Sequence, residues 1–267
     1  WTDADQQLDI PQTALQSYNQ LAWWKGVPVP SAVSDEYVTI KNDITTYRGE
    51  TVSFWFITSN DDDEQVLLTG LLDCGSFGSV VINDSGDAGK ITVANAAGAS
   101  GKVLTDTATW ADGQWHHCVI VVVGDGSSLS TISSADDGFA IYIDGEKQAI
   151  SKGGAHRATD KALIGSRHSS STYEYQLDGC ITEISVWDNK FTQSEVNELY
   201  NDGKALNAED HSQYSGNCLG YWRNNGLATW TNLKDPGTND GALTGLDETI
   251  LQQAGVDASR DCQGFLM

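Results

Sequence analysis

The sequence predicts an all-β sandwich with one short helix after its closing strand. Three observations favour this fold class. Short segments rich in β-branched and aromatic residues recur between residues 37 and 187, separated by Gly- and Asp-rich turns. Nine Trp, nine Tyr and six Phe supply the apolar area that a sandwich core buries. The segment 175–203 joins a buried strand to a helix whose start and end are both marked in the sequence.

Residues 1–32 precede the strand pattern and are predicted to form an N-terminal arm and linker. Gln12–Trp24 has the apolar spacing of a short helix, and the prolines after it impose an extended backbone. Trp23 and Trp24 are candidate assembly residues, because two adjacent indole rings outside the sandwich could anchor a neighbouring chain. Packing of the arm on its own domain is the alternative.

Residues 33–205 are predicted to form the sandwich itself. Val52, Phe54 and Phe56 alternate, which indicates a strand with one apolar face. Trp115–Val123 is apolar on both faces, as expected for a central strand or for one covered by a second layer. The predicted strands are Tyr37–Ile40, Thr51–Ile57, Gln65–Leu72, Ser79–Ile82, Lys90–Ala94, Lys102–Leu104, Trp115–Val123, Phe139–Ile143, Ala162–Gly165, Tyr173–Leu177 and Cys180–Trp187.

The helix is predicted directly after the strand Cys180–Trp187. Thr192 and Glu195 have the spacing of a capping box, in which each side chain bonds a backbone amide of the first turn. The apolar residues that follow, Leu199 among them, fall on a single stripe, which a sheet could cover. Gly203 stands where a left-handed residue would end the helix.

Three stretches carry a resemblance to a known family. The pattern Gly-x-Ile-x-Glu-Ile-x-Val-Trp starts at Gly179, and Phe-Thr-x-x-Glu-Val-x-x-Leu-Tyr starts at Phe191. Asp112–His117 leads into an apolar strand, and Phe139–Ile143 leads into the Asp-Gly pair at 144–145. Together they resemble laminin-G-like, concanavalin A-like domains over residues 37–203. The resemblance implies a two-sheet antiparallel jelly roll, a fold that hosts lectins, hydrolases, adhesion modules and viral structural proteins.

Residues 206–267 are predicted to form a C-terminal extension that completes the sandwich or mediates assembly. Cys218–Arg223 reads as a strand, and Tyr221 and Trp222 within it are the other two candidate assembly residues. Residues 230–241 resemble the opening of a laminin-G-like domain, although they stand near the C-terminal end. The extension could therefore supply a first strand in permuted order, or begin a degenerate second unit.

Charge narrows the range of partners. Fifteen Lys and Arg against 37 Asp and Glu give a net charge of −22 and a pI near 4.2. A surface of this sign repels nucleic acid and anionic membranes, so we expect neither as a partner. The longest purely apolar run, Cys118–Val123, is too short to span a bilayer.

The five cysteines cannot all pair within one chain. Cys118 and Cys180 occupy strand positions that an apolar residue could fill, so they are predicted to be buried free thiols. Cys218 and Cys262 could form a bridge in the C-terminal extension. No Cys-x-x-Cys spacing is present, which argues against a zinc ribbon.

No catalytic arrangement is predicted, and we expect a protein that is not an enzyme. Glycoside hydrolases of this fold carry Glu-x-Asp-x-x-Glu on one strand, whereas Ser185 stands at the middle carboxylate position here. Glu183 and Asp188 are five residues apart, which on a regular strand places them on opposite faces. His116 and His117 are adjacent, so they also face opposite ways and cannot chelate one ion.

Acidic loops make calcium the one cofactor to consider. Asp61, Asp62, Asp63, Asp84 and Asp87 are weak candidate ligands, because calcium requires six to eight oxygens that converge on one point. Family relatives often hold calcium at the rim of the sandwich, but solvated acidic loops explain these residues better. The sequence therefore predicts no certain cofactor and leaves calcium open.

The sequence predicts a non-catalytic virion structural or attachment protein of a tailed bacteriophage, of the capsid-decoration or tail-fibre type. Glu248–Phe265 resembles the tails of structural proteins from such, often marine, phages. The expected partners are other virion subunits or copies of this chain in a homo-oligomer, with cell-surface glycan as a further contact. Tyr173 and Tyr175 could stack on a sugar or serve packing alone. A secreted carbohydrate-binding module, located outside the cell, is the alternative, and a glycoside hydrolase is the third.

Overall fold

The structure is a computed structural model that describes residues 37–40, 48–74, 77–94, 101–124, 134–154, 159, 161–169, 172–223 and 229–244. The predicted arm with Trp23 and Trp24, and the predicted phage-like segment Glu248–Phe265, lie outside these residues. Within the described ranges, no helix has the length and apolar character needed to cross a bilayer.

The described residues form strands β1–β17 and two short α-helices. The first strands are β1 Tyr37–Ile40, β2 Thr51–Thr58, β3 Gln65–Asp73, β4 Phe77–Ile82, β5 Ile91–Ala94, β6 Lys102–Thr105, β7 His116–Val122, β8 Phe139–Ile143 and β9 Glu146–Lys147. They are followed by β10 Ile150–Lys152, β11 Leu163–Ile164, β12 Arg167–Ser169, β13 Thr172–Glu174, β14 Gly179–Trp187, β15 Cys218–Trp222, β16 Thr229–Trp230 and β17 Gly241–Thr244. The α-helices are α1 Gln193–Tyr200 and α2 Tyr214–Asn217, and 3₁₀ turns occur at Ala135–Asp137, Asn201–Gly203 and Ala208–Asp210.

Two large antiparallel sheets and one separate hairpin contain all of these strands. The nine-stranded sheet has the order β10-β6-β5-β4-β3-β11-β1-β17-β16. The six-stranded sheet has the order β15-β14-β2-β7-β8-β9, and β12 pairs only with β13. This arrangement confirms the predicted all-β, two-sheet antiparallel jelly roll with one short helix after the closing strand.

The main core lies between the two sheets and follows the predicted alternation. Val52, Phe54 and Phe56 of β2 are fully buried in it. Ser53, between two of them, lies on the other face and hydrogen-bonds His117. Strand alternation therefore decides which side chains enter the core.

The central strand β7 is buried on both faces, as predicted. Cys118, Ile120 and Val122 belong to the main core. Val119 and Val121 belong to a second apolar cluster, which also contains residues of helix α1. The apolar character of β7 is therefore satisfied within one chain.

Helix α1 begins as the sequence predicts but ends earlier. The Thr192 side chain accepts a hydrogen bond from the Glu195 amide, and the reciprocal bond completes the capping box. Asn201 is the left-handed residue that ends the helix, with φ of 50°, two positions before Gly203. Asn tolerates this conformation because its short amide can bond the nearby backbone, and here it donates to the carbonyl of Lys204 at 3.0 Å. Leu199 is buried against the six-stranded sheet, as the single apolar stripe predicts.

The C-terminal extension supplies strands to both sheets. β15 pairs with β14 at the edge of the six-stranded sheet. β17 pairs with β1 over four residues, from Tyr37↔Thr244 to Ile40↔Gly241. Residues 218–223 and 229–244 therefore belong to the same sandwich, which favours the permuted strand over a second unit. The domain division at residue 205 stays a prediction.

Two of the candidate assembly residues lie inside the chain's own fold. Tyr221 and Trp222 are fully buried, the first in the second apolar cluster and the second in the main core. Their rings therefore present no surface to a partner, and their assembly role stays an untested prediction. Cys218 is a free, buried thiol, and Cys262, its predicted bridge partner, lies outside the described residues. Cys118 is buried and free as predicted.

Candidate functional site

The β12–β13 hairpin is the part of the described chain that stands outside both large sheets. Main-chain bonds fix it to the start of β3. The Val66 amide donates to the carbonyl of Tyr175 at 2.8 Å, and the Gly165 amide donates to the carbonyl of Leu67 at 2.9 Å. Segments that are carried on a rigid sheet but are not needed to build it commonly hold binding residues.

Arg167 is the central residue of the hairpin. It lies directly across the ladder from Glu174, and its Nη2 binds the Glu174 carboxylate at 2.6 Å. Its Nη1 lies 3.8 Å from the carboxylate of Glu64. Although the side chain is fully buried, its Nε and Nη1 have no hydrogen-bond partner in the described structure. An unsatisfied buried donor is costly, so these two N–H groups require an explanation.

Tyr175 follows the hairpin in a left-handed conformation, with φ of 58°. This conformation is strained for a bulky residue, and such strain concentrates at functional sites. The left-handed residue interrupts the strand alternation, and the Tyr175 ring lies over the Arg167 guanidinium with the ring centroid 4.6 Å from Cζ. A cation–π contact of this kind holds the half-buried ring in place.

Tyr173 lies one residue before Glu174 and is also half-buried. It stacks on Tyr37 of β1, with ring centroids 3.9 Å apart and planes inclined by 10°. The ammonium group of Lys161 donates to its hydroxyl at 2.7 Å. The hairpin is therefore anchored on the sheet by one tyrosine and on a buried cation by the other.

These side chains form a single group, called the hairpin cluster below. It consists of Glu64, Lys161, Arg167, Tyr173, Glu174 and Tyr175. The group offers two aromatic rings, two cations and two carboxylates around one surface element. Half-buried aromatic rings beside charged hydrogen-bonding groups are the components of a site for a polyhydroxylated ligand.

A second group of similar chemistry lies in the six-stranded sheet, and we call it the strand cluster. Glu183 of β14 sits at a bulge, with φ of 53° and a register shift between Thr182 and Ser185. Its carboxylate accepts a short hydrogen bond from the Tyr221 hydroxyl and lies 3.1 Å from Nε of Arg223. Burial raises the pKa of Glu183, and the nearby Arg223 charge only partly opposes this effect.

Among the residues that the structure describes, the strand cluster contains no second carboxylate for acid–base chemistry. Asp188 is exposed beyond the end of β14, whereas Glu183 is 4% exposed, so the two do not share an open cleft. Because of the bulge at Glu183, strand alternation does not predict the relative faces of Glu183 and Asp188. The difference in their exposure still keeps the two carboxylates from sharing a cleft. Ser53 Oγ lies 2.8 Å from His117 Nε2, but both residues are 1% exposed, and His117 Nδ1 has no partner in the described structure. This Ser–His pair therefore lacks both access and an orienting acid.

The two adjacent histidines have opposite environments. Burial lowers the pKa of His116, but hydrogen bonds to Asp144 at 2.7 Å and to Asp112 at 3.2 Å outweigh it, so the pKa is raised. Burial lowers the pKa of His117 to about 3. The side chains contact different neighbours on different faces, as predicted, and each has a structural role.

Comparison with known families identifies the fold. The sequence model of the family Laminin_G_3, described as the concanavalin A-like lectin/glucanases superfamily, matches residues 32–197. The chain belongs to this superfamily. A comparison with curated proteins finds no match.

Solved structures similar to this chain include one with a TM-score above 0.5, which agrees with the superfamily fold. A candidate carbohydrate-binding protein from Bacteroides ovatus is similar over 80% of this chain and 57% of its own, with 16% identity and a TM-score of 0.54. The chain thus spans little more than half the length of that protein. The CBM40 of Ruminococcus gnavus IT-sialidase has 12% identity, coverage of 65% and 94%, and a TM-score of 0.41. The heptameric SAP-like pentraxin of Limulus polyphemus has 14% identity, coverage of 66% and 87%, and a TM-score of 0.36.

In this laminin-G-like sandwich, the side chains of the five candidate calcium ligands do not converge on one point. Asp61, Asp62 and Asp63 are exposed in the loop before β3. The carboxylates of Asp84 and Asp87 each bind Nζ of Lys102 at 2.8 Å, so an ammonium group lies between them. Among the residues that the structure describes, no group of three or more His, Cys, Asp or Glu could hold a metal ion. The calcium prediction stays open.

The sequence identified only part of the hairpin cluster. Tyr173 and Tyr175 are predicted candidates for stacking on a sugar, whereas the sequence reasoning missed the four charged members, Glu64, Lys161, Arg167 and Glu174. The available signal was the pair of opposite charges, Arg167 and Glu174, on either side of the polar segment 168–172. Because no strand is predicted over β12, their cross-strand pairing could not be recognised.

Proposed function

We propose that this chain is a non-catalytic carbohydrate-binding domain that contacts glycan through the hairpin cluster. The observation that carries the proposal is Arg167 with its ring partner Tyr175. A fully buried guanidinium supports a half-buried tyrosine ring while two of its own N–H groups have no partner in the described residues. These donors are themselves buried, so the half-buried Tyr175 ring that the guanidinium holds in place is the group on which a sugar would stack.

The remaining members of the cluster suit the same ligand. The apolar C–H face of a pyranose packs well against an aromatic ring, and the carboxylates of Glu64 and Glu174 can accept hydrogen bonds from hydroxyls. Lys161 holds the Tyr173 hydroxyl and thereby orients the second ring. The hairpin is fixed to β3 by main-chain bonds, so the rings are positioned before a ligand arrives.

The fold is consistent with this proposal without specifying a ligand. The superfamily contains both lectins and glucanases by name, and the structure from Bacteroides ovatus is described as a candidate carbohydrate-binding protein. We also propose that the domain binds glycan without hydrolysing it. The buried carboxylate Glu183 is matched with Arg223 and Tyr221 rather than with a second acid at an open cleft.

The test is retention of the full chain on immobilised or gel-embedded polysaccharides, compared with the variant Tyr175→Ala. We expect the variant to lose retention by at least about tenfold, because a stacked aromatic contributes much of the affinity of such sites. Tyr214→Ala is the matched control, since Tyr214 is also half-buried but packs on Trp187 and Lys234 in another part of the chain. A wild-type chain that binds no glycan, or a Tyr175→Ala variant that binds normally, would reject the proposed site.

A bacteriophage virion component is a narrower form of the proposal, in which the same domain is built into a particle. Two features that favoured assembly are satisfied within the chain, because β7 and β15 are both covered by its own residues. The remaining support is Trp23 and Trp24, which lie outside the described residues. Light scattering on the full chain and on a variant with Trp23→Ala and Trp24→Ala tests it. A homo-oligomer that the variant dissociates would support assembly, and a monomer at high concentration would oppose it. A secreted module remains the alternative setting.

A further inference from the structure

We propose that glycan binding by this chain does not require calcium, because nitrogen donors of the chain itself hold the two acidic loops next to the hairpin cluster. The first loop, residues 60–63, runs directly into Glu64 of that cluster. The second loop, residues 83–90, joins β4 to β5. Calcium-independent binding rests on the proposed function, whereas the way in which the loops are held does not.

An ammonium group occupies the point on which the carboxylates of Asp84 and Asp87 converge. Nζ of Lys102 lies 2.8 Å from an oxygen of each carboxylate. The side chains of Lys102 and Asp84 are 9% and 7% exposed, so solvent screens their contact only weakly. Burial lowers the pKa of Lys102, but the bonds to the two carboxylates outweigh this effect and raise it. The group is therefore a fixed cation at neutral pH.

A calcium ion that bridged the same two carboxylates would compete with this ammonium group. Calcium lies about 2.3–2.6 Å from its oxygen ligands, so an ion at that distance from both carboxylates would stand next to Nζ of Lys102. Two like charges would then oppose each other in a buried position. Lys102 would have to leave its place before such an ion could bind. Lys102 thus fills the role at the loop 83–90 that a divalent cation could otherwise fill.

Side-chain amides hold the loop 60–63 in a similar way. Nδ2 of Asn83 donates to the carbonyl of Asn60 at 2.6 Å and to the carbonyl of Asp63 at 3.1 Å. Nε2 of Gln65 donates to the same Asn60 carbonyl at 2.9 Å. Exposed carboxylates in this loop would need carbonyl oxygens to complete a calcium site, and these two carbonyls face N–H donors instead.

Asn83 also joins the two loops to each other. It is 3% exposed and has a left-handed backbone, with φ of 61°. While its Nδ2 reaches the loop 60–63, its Oδ1 accepts a hydrogen bond from the Gly89 amide at 2.7 Å. Asn83 and Lys102 therefore fix both loops, and with them the chain that leads into Glu64. Adding or removing calcium should leave this side of the hairpin cluster unchanged.

The first experiment compares the full wild-type chain in about 10 mM calcium, which exceeds the Kd of weak extracellular sites, with the same chain in excess EGTA. We expect thermal midpoints within about 1 °C of each other and equal retention on the polysaccharide that binds best. A midpoint at least about 3 °C higher in calcium, lost in the variant Asp84→Asn with Asp87→Asn, would overturn the inference.

Retention separates the inference from the proposed function. Retention that EGTA abolishes and calcium restores would overturn calcium independence and leave the proposed glycan site standing. A chain that binds no polysaccharide in either condition would reject the proposed function. The thermal midpoints would still decide how the loops are held, because they need no ligand.

A matched pair of variants tests the role of Lys102. Lys102→Met removes the buried ammonium, and Lys90→Met removes one that is 27% exposed and 3.7 Å from Asp87. Each changes the net charge from −22 to −23. We expect Lys102→Met to lower the midpoint by at least about 6 °C, because the buried Asp84 loses its ammonium, and to recover at least about 2 °C in calcium. Lys90→Met should shift by less than about 2 °C and ignore calcium.

Equal midpoints for these two variants, or a Lys102→Met variant that calcium does not stabilise, would overturn the assignment of Lys102 as the cation of this loop. If Lys102→Met folds only when calcium is present, that dependence supports the assignment. The comparison of the wild-type chain in calcium and in EGTA does not depend on the folding of either variant.

Discussion

Two arginines in this chain lie over a tyrosine ring and beside a glutamate, yet they serve different parts of the fold. In the strand cluster, Cζ of Arg223 is 5.2 Å from the centroid of the Tyr221 ring, and Glu183 completes the group. In the hairpin cluster, Arg167 lies 4.6 Å from the Tyr175 ring, and Glu174 completes the group. The residue types are the same, so residue type alone cannot distinguish a structural cluster from a binding site.

Topology and exposure separate the two clusters. Tyr221 and Glu183 lie on paired strands, and both are buried. The strand cluster therefore joins β14 to β15 beside the second apolar cluster, to which Tyr221 belongs. Tyr175 is half-buried on a hairpin that no large sheet requires. The difference lies in the tyrosines: the Tyr221 ring is fully buried, whereas the Tyr175 ring is half-buried and is the group that we propose meets a ligand.

The largest expected effect is at the carboxylate of the strand cluster. Glu183→Ala should reduce the free energy of unfolding by about 3–5 kcal/mol, because it leaves a buried charge and a buried hydroxyl without their partner. Urea denaturation of the purified chain measures this loss. Asp188→Ala is the control just beyond the end of the same strand, where an exposed side chain should change stability by less than about 0.5 kcal/mol. Equal losses for the two variants would remove the distinction between closed and open positions.

Low pH should lower the free energy of unfolding through the buried side chain of His117. The folded-state pKa of His117, about 3, lies below the value of 6.5 expected when unfolded, so the unfolded chain takes up a proton between those values and the native chain does not. Stability from neutral His117 is thus fully present above pH 6.5 and is lost as the pH falls toward 3. The loss should be on the order of a few kcal/mol. Urea denaturation at several pH values should show a shallower acid decline for His117→Gln than for wild type, and parallel curves would contradict the burial effect.

A smaller change in stability is expected at the cation of the hairpin cluster. Arg167→Met should cost about 1 kcal/mol or less, since replacing a buried ion pair by an apolar side chain of similar size is often close to neutral. Glu174, left without its partner, has a side chain 38% exposed and can be solvated. Glycan retention should nevertheless fall, so the variant would separate binding from folding. A loss of stability as large as that of Glu183→Ala would show that Arg167 is a structural residue.

Much of the fold could be predicted because its signals are local. The capping box at Thr192 and the alternation on β2 each depend on residues a few positions apart. The Asp-Gly pair after β8 forms a tight turn with left-handed φ of 52° and 80°, the geometry that favours this pair between strands. The same locality explains why β7 could be recognised as a doubly covered strand.

The candidate site could be predicted only in part, because its geometry depends on contacts distant in sequence. Glu64 meets Arg167 across 103 positions, and no periodicity links them. The bulge at Glu183 has no signal in its composition, so alternation gave no warning that this side chain shares a face with Tyr221. Nor could the pairing of β17 with β1 be chosen from sequence over a second unit.

The pairing of β17 with β1 places the first and last described strands side by side in one sheet. Tyr37 and Thr244 are register partners in an antiparallel ladder, where opposed Cα atoms are about 4.5–5.5 Å apart. The first and the last described residues are therefore direct neighbours in one sheet. A module with adjacent ends can be spliced into a surface loop of a host protein without stretching that loop, or re-opened elsewhere after its ends are joined. For this chain, whatever is fused before Tyr37 will stand next to whatever is fused after Thr244.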